Sequence, residues 1–138
     1  MAMEDPYFLA LLAEAYASVD QVEDGLGALA NALALLPNGR GFFYEAEIYR
    51  LQGELFLHLP TPDVQHVEAC FSRALAIARR QEARALELRA AISLSRLWQR
   101  QARHAEARQL LAAVYDWFTE GFDTADLQEA KGLLAALA

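Results

Sequence analysis

The chain has 138 residues, 55% of them hydrophobic, and its 19 acidic against 12 basic side chains give a formal net charge of −7. That length suits one domain with a sizeable core, and the acidic balance excludes the basic character expected of a nucleic-acid binder. No uncharged apolar run reaches the ~18 residues of a membrane span, the N-terminal MAMEDPYF has no signal-peptide layout, and the lone Cys70 cannot form an internal disulfide. The expectation is a cytoplasmic chain with neither nucleic-acid nor membrane partners.

Seven helices are predicted. The first covers residues 6–18 and is entered at Pro6, a residue favoured in a first helical turn. The second is capped by Asp20 and stops at residue 36, before Pro37. Asn38-Gly39-Arg40-Gly41 reads as a turn, because it lacks the G-x-x-x-x-G-K-[ST] layout of a phosphate loop. The third helix covers 42–59 and is broken by Pro60-Thr61-Pro62, after which Asp63 caps a fourth helix over 64–80. No Gly or Pro separates the fourth helix from the fifth, so the hydrophobic pattern alone places the break, near Gln81. The fifth helix runs to residue 101 and the sixth from 104 to 118, ended by Gly121. Asp123-Thr124 opens a seventh over 125–137, where Leu127, Ala130, Leu133, Leu134 and Leu137 form one apolar stripe.

The helices repeat. The small residues Ala13, Gly53 and Ser95 lie 40 and 42 residues apart, and Gly25, Val67 and Ala107 lie 42 and 40 apart. A fixed period of this size means stacked supersecondary units. Paired helices cross closely only where small residues meet, so Ser95 should face Ala107, and Val67 should face Gly53. Tyr16, Phe56 and Trp98 are then expected to fill the space between one pair and the next, with Trp98 largely buried. The units fall at about 6–37, 42–80 and 83–118 of a single domain over 1–138, with residues 124–137 covering the open end as a capping helix.

These residues resemble the tetratricopeptide repeat. Leu9, Leu12, Ala13, Tyr16, Gly25, Leu29 and Pro37 carry the pattern in the first copy. The second has Tyr49, Gly53, Phe56, Val67 and Phe71, but Gln52 where Leu is expected. The third has Leu94, Ser95, Trp98, Ala107 and Leu111, but Ala91 at the first aromatic position. Only the first copy has a closing Pro, and the period is longer than the usual ~34. A narrower resemblance, carried by FFYEAEIYRLQGELFL and the segments after it, is to the C-terminal repeat region of large bacterial predicted ATPases. Those proteins often carry an adenylate or guanylate cyclase domain. The family implies an all-α fold: a right-handed α/α superhelix of three antiparallel helix pairs plus the capping helix. It also implies a concave groove lined by the first helix of each pair. Here that groove would hold Tyr7, Glu14, Glu47, Arg50, Glu54, Leu57, His58, Arg89, Ile92, Arg96, Gln99 and Arg100.

Arg89, Arg96 and Arg100 share one helix face, a stripe able to hold an acidic or C-terminal peptide. Against this stands internal pairing. Glu47 is the equivalent of Arg89 and Glu54 of Arg96, each 42 residues apart, so both pairs should form and leave Arg50, Gln99 and Arg100 for a ligand. Catalysis has little support. His58, His66 and His104 lack metal-type spacing, Cys70 has no partner motif, and the serines fall inside or at the ends of helices. No metal or cofactor is expected. The sequence points to a protein- or peptide-binding scaffold, with a homo-oligomerisation module such as a homodimer as the alternative.

Overall fold

The computed structural model describes residues 22–34 and 45–138. The first predicted helix, with Tyr7 and Glu14, and the turn at Asn38-Gly39-Arg40-Gly41 lie outside the described residues. The fold is all-α: the elements are α1 (Val22–Ala34), α2 (Glu45–Leu57), α3 (Val64–Arg80), α4 (Arg84–Arg100), α5 (His104–Tyr115) and α6 (Ala125–Leu137). Among the described residues there is no strand. Consecutive helices pack on one another from α1 to α6; α2 also lies beside α4, and α6 rests on both α4 and α5.

The ends of the helices follow local chemistry. The Asp63 carboxylate accepts the His66 N–H at 3.3 Å at the start of α3, and the Thr124 hydroxyl accepts the Leu127 N–H at 3.4 Å at the start of α6. The two turns without Gly or Pro share one solution. Glu82 and Ala102 adopt left-handed φ of 55° and 61°. In each turn the next amide reaches back six residues inclusive, Ala83 to the Ala78 carbonyl at 2.9 Å and Arg103 to the Trp98 carbonyl at 2.8 Å. This closes the helix as a glycine would, but with a side chain in its place.

Two predicted ends move inward. α2 stops at Leu57, because Pro60 forces the chain out of the helix and His58 and Leu59 tighten into three-residue turns. α5 stops at Tyr115 rather than 118, with Trp117 and Phe118 bonded three residues back in the same way.

The main core joins α3 to α6 through Val67, Phe71, Leu88, Ala91, Leu94, Ala107, Leu111, Val114 and the stripe of α6. Leu127, Ala130, Leu133 and Leu137 of that stripe are buried and Leu134 is half-buried, packed where α6 rests on α4 and α5. A second cluster holds α1 against α2 through Val22, Leu29, Ile48, Leu51 and Leu55. In the α4–α5 pair the expected small-residue crossing forms: Ser95 and Ala107 are fully buried, and the Ser95 hydroxyl donates to the Ala107 carbonyl at 3.3 Å.

The α2–α3 crossing is different. The close partner of Gly53 is Phe71, not Val67: a Cβ at Gly53 would lie 2.5 Å from the Phe71 ring. The aromatics also depart from expectation. Phe56 sets its ring edge-on to His66 at 4.5 Å, within its own pair, because the extra residues of the Pro60-Thr61-Pro62 turn bring the start of α3 over it. Trp98 is half-buried rather than enclosed: it packs against the main core, and Arg103 of the α4–α5 turn lies over its ring at 4.6 Å.

Gly53→Ala should destabilise the protein by about 1–2 kcal/mol in urea melts, since overpacking against the fully buried Phe71 outweighs the gain in helix propensity. Ala102→Gly should raise stability by about 0.5–1 kcal/mol in the same assay, because relief of the left-handed φ exceeds the entropy glycine adds to the unfolded chain.

Candidate functional site

The polar sides of α2, α4 and α6 meet at a cleft of about 140 Å³, lined by Arg50, Glu54, Arg89, Ile92, Ser93, Arg96, Asp126 and Glu129. Its charges form one chain of contacts through Glu47 and a separate pair between Arg96 and Glu129. Glu47 lies beneath it, 6% exposed, and takes the Arg50 fork at 2.7 and 2.8 Å. The same carboxylate accepts Arg89 Nη1, the pair expected from the 42-residue step. Arg89 then donates through Nε to Asp126 at 3.1 Å, so its guanidinium bridges a carboxylate of α2 to one of α6.

The second expected pair is not present. Arg96 binds Glu129 of α6 instead of Glu54. Glu54 accepts the Ser93 hydroxyl at 3.0 Å and stands 3.5 Å from Arg50 Nη1. The equivalence argument assumed that α6 contributed only apolar surface. With Asp126 and Glu129 three residues apart on one side of α6, Arg96 finds a nearer carboxylate there. Arg50 is therefore not left for a ligand, as the sequence suggested, but is fixed by Glu47.

The remaining expected groove residues divide. Ile92 lines the cleft, with 5% of its surface exposed. Gln99 is half-buried and Arg100 exposed, and neither lines it. Arg100 has no ion pair among the described residues. Leu57 packs against the main core, and His58 stands exposed past the end of α2 with Nδ1 2.8 Å from the Glu54 carbonyl oxygen. Three cleft residues were missed: Ser93, Asp126 and Glu129. Stepping 42 residues on from Arg89 lands on Lys131, whereas its partner is Asp126, 37 residues on. The repeat period does not carry into α6. Among the described residues no group of His, Cys, Asp and Glu is placed to hold a metal ion, and no helix is long and apolar enough to cross a membrane.

Glu47 sets the electrostatics. Burial pushes its carboxyl pKa up, but the hydrogen bonds and charges of Arg50 and Arg89 outweigh burial and hold it below the usual carboxylate range. Compared with known proteins, the chain matches no family model and no curated sequence.

A folded pKa below the unfolded value means that the network's stabilisation is complete above about pH 4.3 and is lost as pH falls through the folded value. Glu47→Gln should cost about 1.5–3 kcal/mol at neutral pH, the range for hydrogen bonds to charged groups. It should also flatten the acid limb of a stability-against-pH curve measured by urea melts.

Proposed function

We propose that this chain is a protein-interaction scaffold of the tetratricopeptide type, a binding module rather than a catalyst. Three helices presenting polar sides to one shared cleft carry the reading. α2 and α4 sit side by side, joined by Glu47 and Arg89 at a separation of 42 residues, which is the relation between first helices of stacked pairs. On this reading the pairs wind as a right-handed superhelix, α6 stands where another first helix would stand, and the cleft is a stretch of the concave groove. The resemblance to the repeat regions of bacterial signalling ATPases and cyclases makes a regulatory or sensor role within such a system the function we favour.

A second reading, homo-oligomerisation, draws on different residues. Trp117 and Phe122, between α5 and α6, are 54% and 40% exposed, the kind of aromatic surface that a second copy covers.

Panning a random peptide library on the intact protein tests the main reading. Selected peptides should shift amide resonances of the α2–α4–α6 cleft and compete with one another; peptides that map elsewhere, or no selection at all, refute it. Sedimentation across concentration tests the second: self-association that Trp117→Ser abolishes would establish it.

A further inference from the structure

The cleft's ion pairs point to the sign of charge on its ligand, an inference that rests on the groove reading above. Three guanidiniums share four carboxylates here, so among the described residues the network has one negative charge in excess. The excess falls on Glu54. Arg50 gives its short bonds to Glu47, at 2.7 and 2.8 Å, and reaches Glu54 only at 3.5 Å. The Ser93 hydroxyl orients the Glu54 carboxylate without neutralising it, and Glu54 Oε1 accepts no hydrogen bond from any described residue. On the α6 side, Asp126 and Glu129 each engage an arginine through one oxygen, leaving the other without a bond from any described residue.

An acidic ligand meets the opposite situation. Arg89 already lies between Glu47 and Asp126, and Arg96 is held by Glu129. Such a ligand has to displace carboxylates that are tethered in place and act at the high effective concentration of an intramolecular partner. A cationic group displaces nothing. Ile92 supplies apolar surface beside these charges, which suits a long side chain that buries its stem and keeps its head on a carboxylate. The net charge of −7 draws cations toward the surface as a whole.

We propose that the cleft takes a lysine or arginine side chain of a partner segment, its head group on Glu54 and its stem against Ile92. Asp126 and Glu129 supply further acceptors from the third wall. The ligand is thus a basic peptide, and the arginines of the cleft serve to position its carboxylates.

The test is a titration of the isotope-labelled full chain with acetylated hexalysine and with hexaglutamate, followed through amide chemical shifts at low salt. Hexalysine should give saturable shifts centred on Glu54, Ile92 and the first turn of α6, and these should weaken as salt rises. Glu54→Gln should reduce its affinity about tenfold, the loss expected when one charge-assisted contact is removed. Glu120→Gln, an exposed acid outside the cleft, should leave the affinity unchanged. Unaltered thermal melting of Glu54→Gln would show that the loss is local. Hexaglutamate centred on the cleft, without hexalysine, would overturn the cationic proposal and leave the groove reading standing. Hexalysine shifts spread evenly over the surface, with equal losses for both variants, would also overturn it. If neither peptide shifts the cleft, the groove reading falls with it.

Discussion

One buried carboxylate fixes how the cleft helices lie against each other. Glu47 holds Arg50 of its own helix and Arg89 of α4, and Arg89 passes the contact on to Asp126 of α6. A carboxylate this deep is costly in isolation, and the two guanidiniums make it tolerable. Apolar burial is non-directional: it draws α2, α4 and α6 into contact with the core without specifying how far each slides along its neighbour. Charge-assisted bonds of defined geometry do specify it. The network therefore acts more on register than on gross stability, and register is what gives the cleft its shape.

Behind the cleft, two helix pairs solve one spatial problem in two ways. In the α4–α5 pair, Ser95 and Ala107 meet and a hydroxyl-to-carbonyl bond closes the contact. In the α2–α3 pair, Gly53 leaves room that the fully buried ring of Phe71 fills. The small residue is common to both; what occupies the space is not. A period of small residues thus encodes the spacing between helices, and the partner is chosen by whichever side chain the local register brings forward. Here Val67 keeps its buried place in the core while Phe71, four residues on, takes the contact.

The same distinction explains what was legible in the sequence. Helix starts marked by Asp63 and Thr124 were readable because a cap is a local event. The break near Gln81 was readable from periodicity, although its left-handed residue is Glu82 rather than a glycine. The Glu47–Arg89 pair followed from the 42-residue step that the small residues Gly53 and Ser95 also keep. Arg96 was misassigned because α6 is outside that period, and its acidic side competes for the arginine at a register that no repeat arithmetic supplies. Trp98 was overestimated for a related reason. Its ring is covered by Arg103, a residue of the turn, and Arg103 is in turn drawn to Glu68 of α3 and Glu106 of α5 at 3.2 and 2.9 Å. Aromatic position follows from the period; what lies over the ring depends on turn geometry.

α6 joins these two levels. Its apolar stripe packs on α4 and α5, a task that any amphipathic helix of suitable length performs. Asp126 and Glu129, next to that stripe, decide the electrostatic character of the cleft. Without them Arg89 would keep only Glu47, Arg96 would lose Glu129, and three guanidiniums would face the two carboxylates of Glu47 and Glu54. With them the guanidiniums are committed and Glu54 is the carboxylate left in excess. The polarity of the candidate site is thus set by α6, where the 42-residue step does not hold. A change confined to two positions of α6 would invert it while leaving the stacked core untouched.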